Sequence, residues 1–224
     1  METRMNDTLE LRVNQQEKKI YLAGYLPVNE FSEVLMDKDG KKFREKINSG
    51  CFSRKLKSMG EKFPLLLINH DYKNQIQVES FEYEESDNRL RILYVLPLTI
   101  EVMDKVKDLG EAKLSFGFTV LKDVRLPKKR DIDGVDYERT VTDFSSLREI
   151  SILKNKLPAY SQSKAFAGDE ESVKRAVAKA ELSERRKEIV RLQQLELDRY
   201  KEYISNKRRN DLFGFGANVK ISMN

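Results

Sequence analysis

Lys113-Leu114-Ser115-Phe116-Gly117-Phe118-Thr119-Val120 carries the strongest structural signal in the chain. Side chains alternate across a β-strand. On that period Leu114, Phe116, Phe118 and Val120 share one face, and Ser115, Gly117 and Thr119 share the other. An all-apolar face of this kind belongs against a core, so Ala112–Leu121 reads as a half-buried strand. Glycine offers nothing to pack inside a strand, so Gly117 points to close approach by another backbone or a ligand. Ser115 sits beside that gap on the same face. Taken alone, it is an ordinary outward serine next to a bulge.

Similar runs flank the octet. Phe63–Asn69 is continuously apolar and reads as a strand buried on both faces; it ends at His70, the only histidine in 224 residues. Gln75–Glu84 and Arg89–Pro97 alternate, with the charged Glu84–Asn88 as a hairpin loop. Leu9–Asn14 and Lys18–Val28 read as the first strands, and Tyr137–Leu153 as two more with a bend near Phe144-Ser145-Ser146. After the turn signal Asp37-Lys38-Asp39-Gly40, Lys41–Met59 shows helical spacing through Phe43, Ile47, Leu56 and Met59, broken at Ser49-Gly50. Thr99–Leu109 reads as a helix capped by Thr99 and ended by Gly110, with Val102, Met103, Val106 and Leu109 on one face. Many strands with two or three helices predict a mainly β (α+β) fold: a closed or nearly closed antiparallel β-barrel with a few surrounding helices.

The character changes near residue 165, which predicts a β-barrel domain over 1–165 and a linker, long charged helix and flexible tail over 166–224. From Asp169 to Asn206 there is neither glycine nor proline. Asp169-Glu170-Glu171 places negative charge at the first N–H groups of a helix. Glu170/Lys174, Glu171/Arg175 and Glu181/Arg185 are spaced for i,i+4 pairing. One helix of about 36 residues and about 54 Å is predicted. Its apolar positions Val173, Val177, Ala180, Ile189, Leu192 and Leu195 form a stripe with gaps. That pattern suits a solvated helix, a weak coiled coil through which the 169–206 segment self-associates, or a partner-docking tail. Leu212-Phe213-Gly214-Phe215-Gly216 is a docking peptide or a frayed end.

Composition narrows the class. Apolar residues are 39% and charged residues 35%, enough to bury a core beneath a large solvated surface. The formal charge of +5 arises from 42 bases against 37 acids, mixed along the chain, which weighs against a nucleic-acid partner. A single cysteine excludes an internal disulfide framework. Cys51 and His70 together fall short of the roughly four ligands of a structural zinc site. Asp131-Ile132-Asp133-Gly134-Val135-Asp136 lacks the later bidentate glutamate of a calcium loop and reads as surface. Pro127-Lys128-Lys129-Arg130 reads as a solvated basic loop. No stretch approaches the roughly 18 apolar residues of a membrane span, and Met1-Glu2-Thr3-Arg4 does not open an apolar signal segment. The expectation is a soluble, intracellularly made protein without metal, cofactor or membrane.

In Leu147-Arg148-Glu149-Ile150-Ser151-Ile152, Ile150 and Ile152 point one way, Glu149 and Ser151 the other. A serine hydroxyl is a poor nucleophile until an adjacent base takes its proton. A histidine base needs a carboxylate to fix its tautomer and stabilise the imidazolium. His70, Ser115 and Glu149 supply the three roles, each on or at the end of a strand. Cys51, at a helix start, is a rival thiol nucleophile; the bland reading is a packed core cysteine. Asp71 is a rival orienting acid, but neighbours in an extended strand face opposite ways, which favours Glu149.

These words, in this order, resemble the prohead proteases of tailed bacteriophages, whose fold is similar to the herpesvirus assemblin serine proteases. Gly24-Tyr25 resembles the family's opening strand, and Ser49-Gly50-Cys51-Phe52 with Lys55-Leu56 its Gly-Ala-Phe helix start. Leu65–Ile68 with Asn69-His70-Asp71 resembles its apolar strand ending in His-Asp. Leu114-Ser115-Phe116-Gly117-Phe118 resembles its Leu-Ser-x-Gly-Phe word, and Leu147–Ser151 its Leu-x-Glu-Val-Ser strand. Pro158-Ala159 is what remains of a Pro-Ala-Asn-Pro word, Glu111-Ala112-Lys113 replaces a common Asp-Gly, and Gln75-Ile76-Gln77-Val78 lacks a glycine. The resemblance covers roughly residues 10–165. It implies His70 as general base, Ser115 as nucleophile and Glu149 as the partner of the histidine. It implies no cofactor, and the major capsid protein's scaffolding segment, and the enzyme itself, as substrate. Action inside the assembling procapsid, in the host cytoplasm, follows. Arg148 and backbone N–H groups near Gly117 are the available oxyanion donors. Ser161–Gly168 reads as a linker open to self-cleavage. The competing expectation is a non-enzymatic capsid-assembly or scaffold protein with a similar barrel.

Overall fold

The computed structural model describes residues 18–107, 109, 112–127 and 134–214. The strand expected at Leu9–Asn14, the Gly110 helix stop, Asp131 and Asp133 of the calcium-like loop, Lys128-Lys129-Arg130 and Phe215-Gly216 lie outside those residues. One sheet is four-stranded in the order β10-β1-β7-β6. Its strands are β1 (Lys19–Pro27), β6 (Ser80–Glu85), β7 (Arg89–Pro97) and β10 (Lys164–Gly168), all antiparallel. The second contains β2 (Leu35–Met36), β3 (Lys42–Ile47), β4 (Leu65–Ile68), β5 (Asp71–Ile76), β8 (Lys113–Pro127) and β9 (Tyr137–Leu153). Three helices complete the chain: α1 (Cys51–Met59), α2 (Ile100–Val106) and α3 (Glu170–Gly214).

The closed antiparallel barrel is therefore corrected to a mixed α+β fold of two open sheets. One ends at β10 and β6, the other at β2 and β5. Two pairings, β3 with β9 and β4 with β9, are parallel. Alternation reports that a strand has one buried face. It does not report which strand lies alongside, so the same pattern suits an open sheet as well as a barrel. The organising element is β9, one 17-residue strand rather than two. β8 pairs along one edge, while β3 (at Tyr137–Val141) and β4 (at Glu149–Ile152) share the other. Gly117 faces Glu149 but Phe118 faces Leu147, so Arg148 is the extra residue of a bulge; Ser145 is another, between Ser146 and Phe144. Bulges bend and twist a strand, which supplies the bend expected near Phe144 without ending the strand.

Other boundaries differ for local reasons. Lys42–Ile47 is a strand because Phe43, Glu45 and Ile47 turn inward on a period of two; two apolar residues four apart cannot distinguish that from a helix. Gln75–Glu84 is divided between β5 and β6. The expected linker contains β10, and α3 runs for 45 residues.

Phe52 of α1 wedges edge-on between Phe116 and Phe144, with centroids 5.1 and 5.2 Å away. Full burial of such a side chain contributes about 1.5–3 kcal/mol. α1 has no acidic residue in its first turn; instead Glu85 of β6 accepts the N–H groups of Gly50 and Ser53 at 2.9 and 2.7 Å. Thr99 caps α2 as expected, accepting the Val102 N–H. Buried Glu45 of β3 bonds Arg139 and accepts the Tyr160 hydroxyl at 3.3 Å, tying the Pro158-Ala159-Tyr160 segment to β3. Burial, then the Glu45 charge, pushes the Tyr160 hydroxyl up, so it remains a donor.

The chain forms two compact units that divide between Val177 and Ala178. The first turns of α3 belong to the first: Val173 is buried, and the Tyr25 hydroxyl donates to the Val177 carbonyl at 3.3 Å. The segment before α3 also holds the start of β8. Leu114 N–H donates to Ser163 Oγ and Ala165 N–H to the Ala112 carbonyl, both at 3.1 Å. Gly24 lets β10 come this close, because a Cβ there would lie 2.4 Å from the Lys164 carbonyl oxygen.

Candidate active site

The site is built on the middle strand of three. Directly opposed residues of paired strands share a face. Ser115 opposes Ser151, and Gly117 opposes Glu149 across the β8–β9 ladder. On the other edge of β9, β4 runs parallel with Leu65 beside Glu149 and Leu67 beside Ser151. β4 then turns back through Asn69-His70, with φ of 55° and 63°, and Asp71 pairs with Ile68. Two consecutive left-handed residues make a tight hairpin turn, where asparagine is favoured and histidine tolerated. Asn69 pins the turn to β9: its N–H donates to the Ile152 carbonyl at 2.9 Å and its Oδ1 accepts the Lys154 N–H at 2.8 Å.

The turn places His70 over Glu149, with Nδ1 2.7 Å from Oε1. A carboxylate only accepts, so Nδ1 is the donor in this contact, and Nε2 is the ring nitrogen that Glu149 does not engage. The His70 side chain is 43% exposed and that of Glu149 3%, so the carboxylate is sealed and the imidazole is open to solvent. The second carboxylate oxygen accepts the Ser151 hydroxyl, which in turn accepts the His70 N–H at 3.1 Å. Tyr94 lies below; burial first and the Glu149 charge second push its hydroxyl well up, and it donates to the Pro64 carbonyl.

Of the three residues expected from sequence, the structure joins His70 and Glu149 by a direct bond. Half-buried Ser115 lies on the same face one strand away, and its hydroxyl makes no hydrogen bond to His70 among the described residues. Serine–histidine bonds are often long in a resting site and tighten when substrate arrives. Asp71 is engaged elsewhere, accepting the Lys73 N–H and the Asn74 amide. The space beside Gly117 is occupied by the Glu149 side chain: a Cβ there would lie 2.4 Å from Glu149 Oε1. Arg148, re-aimed by the bulge, donates to Thr119 Oγ1 and Ser146 Oγ. Ser151 and Tyr94 were not marked as site residues by sequence. For Ser151 the signal was its two-residue spacing from Glu149 on one strand face; for Tyr94 there was none.

Cys51 is fully buried in α1, and burial pushes its thiol up to about 12. A thiol kept protonated and covered does not attack a peptide. Cys51→Ala is expected to retain parental cleavage, and the parent to resist thiol alkylation; inactivation by either would return the thiol to consideration.

The profile of the caudovirus prohead serine protease family matches residues 7–184. No curated protein and no solved structure gave a match. The matched span includes both open sheets and every residue of the His70–Glu149–Ser115 face, and on that coverage the chain belongs to the caudovirus prohead serine protease family.

Proposed function

We propose that this serine peptidase of phage prohead maturation works through His70, Ser115 and Glu149, and that its substrates are the scaffolding segment of the major capsid protein and the enzyme itself. The observation that carries the reading is the His70 Nδ1–Glu149 Oε1 bond on the strand face that also bears Ser115. His70 Nε2 takes the Ser115 proton as Oγ attacks the scissile carbonyl. The carbonyl π electrons move to oxygen, then return as the C–N bond breaks. The imidazolium hands its proton to the departing amine, and an ester remains on Ser115. A water, deprotonated by the same nitrogen, attacks the ester; the C–Oγ bond breaks, Oγ takes the proton from the imidazolium, and the acid leaves. Glu149 stays ionised throughout and stabilises the imidazolium. The work is done inside the assembling procapsid, in the host cytoplasm.

Self-cleavage within Lys164–Gly168 would have to break the β1–β10 ladder and the Ala165 bond to β8. We therefore place a cut that leaves the protease unit whole beyond Val177. Exposed Leu182, Ile189 and Leu192 support self-association through the 169–206 helix.

Co-expression with the phage's major capsid protein, read by gel and intact mass, tests the reading. Shortened capsid protein and a labelled Ser115 after treatment with a serine-directed phosphonylating probe are expected. Intact capsid protein together with an unlabelled serine would favour an assembly protein lacking activity.

A further inference from the structure

The hydroxyl of Ser151 is fully buried and has two partners. It donates to Glu149 Oε2 at 2.5 Å and accepts the His70 backbone N–H at 3.1 Å. A hydroxyl has a single proton, so these bonds fix its orientation: the proton is committed to the carboxylate and a lone pair to the amide. Each end of the bridge meets a group that is costly to leave alone. Glu149 is 3% exposed, and a buried carboxylate oxygen without a donor is strongly unfavourable. His70 holds φ of 63°, a left-handed conformation that a non-glycine residue keeps only when its surroundings determine it.

We propose that Ser151 is a positioning residue for the peptidase reaction, one hydroxyl that holds both the main chain of the base and the carboxylate that orients its ring. The inference rests on the His70–Ser115–Glu149 reading above. Glu149 has two oxygens and two assigned tasks. Oε1 is bonded to His70 Nδ1, and Oε2 is tethered by Ser151, so the carboxylate is held at both oxygens. The same atom anchors the tight turn that delivers the imidazole, so ring and carboxylate move together as one body. β9 supplies both Glu149 and Ser151, two residues apart on one face, so no loop separates the acid from its tether. Ser151 opposes Ser115 in the ladder, which places the tether directly beside the strand position of the nucleophile.

The test is a cycle of kcat and KM measurements on purified full-length enzyme with capsid protein as substrate, comparing Ser151→Ala, Glu149→Gln and the double variant. Ser151→Ala is expected to lower kcat by about 10- to 100-fold, the equivalent of one hydrogen bond to a charged group, with KM within about twofold. In the Glu149→Gln background the same substitution is expected to cost less than about threefold, because the group it tethers has already been changed. A structural role would instead give costs that multiply, and parental kcat in Ser151→Ala, or full multiplication, overturns the inference. If Ser151→Ala does not fold, Ser151→Gly removes the hydroxyl without adding bulk; parental kcat in that variant overturns the inference equally, and a loss that vanishes in the Glu149→Gln background supports it. Ser115→Ala separates the two levels. Cleavage by Ser115→Ala removes the serine mechanism itself, whereas an inert Ser115→Ala beside a fully active Ser151→Ala removes only the role of Ser151.

Discussion

Ser115→Ala and His70→Asn are each expected to reduce capsid-protein cleavage by about 10⁴-fold or more, with thermal unfolding within a few degrees of the parent. Ser115 is half-buried on the open face of β8, and its hydroxyl bonds no other side chain among the described residues, so its loss leaves no orphaned partner. Asparagine is the informative replacement for His70 because the residue sits at φ of 63°. Asn accepts a left-handed backbone readily, retains the N–H that Ser151 receives, and removes only the base. Alanine at this position would mix loss of the base with strain in the turn. Since the chain has one histidine, no second imidazole can substitute. Members of such a set act as a unit, so the Ser115→Ala/His70→Asn double variant should be no slower than either single one. Rates within tenfold of the parent for either variant would remove that residue from the mechanism.

The candidate residues on β8 and β9 could be read from sequence because they lie in short words with a strict period. Ser115 and Gly117 lay opposite an apolar stripe, as Glu149 and Ser151 lay opposite Ile150 and Ile152, and β8 and β9 preserve both faces. The partnership of His70 was harder to read. It depends on a left-handed turn after Ile68 that swings the ring over β9, and nothing in the apolar run before it encodes that swing. The architecture was not legible in the same way. That one 17-residue strand takes β3 and β4 in parallel on a single edge is a long-range fact, and the bulges of the β8–β9 ladder at Arg148 and Ser145 leave no mark in hydrophobic periodicity. The same limit hid β10. Lys164-Ala165-Phe166-Ala167-Gly168 is short and small, and it becomes a strand because β1 and the start of β8 offer it hydrogen bonds.

Gly117→Ala is expected to lower kcat by about 10²-fold, an effect matching a displacement of about 1 Å in a reacting group. The backbone gives no reason for harm, since Gly117 lies in β8 without a positive φ. The damage comes from a single contact. An added methyl would stand 2.4 Å from Glu149 Oε1 and 3.1 Å from its Cδ and Cγ. That oxygen is the one bonded to His70 Nδ1 at 2.7 Å. Glu149 cannot simply swing aside, because it is nearly sealed from solvent and Oε2 is held by Ser151. The methyl therefore breaks either the histidine bond or the tether, and both outcomes release the imidazole. Overpacking of this kind also costs about 1–3 kcal/mol of stability, so the rate must be taken well below the melting transition. There the stability loss leaves the folded fraction near unity, and a remaining drop in kcat is a defect of the site. Glu149→Gln and Gly117→Ala should then fail to multiply, since both act on the same carboxylate–imidazole bond. A Gly117→Ala enzyme with parental kcat at that temperature would mean the carboxylate does not occupy the space above Gly117 during catalysis, and Glu149 would lose its assigned role.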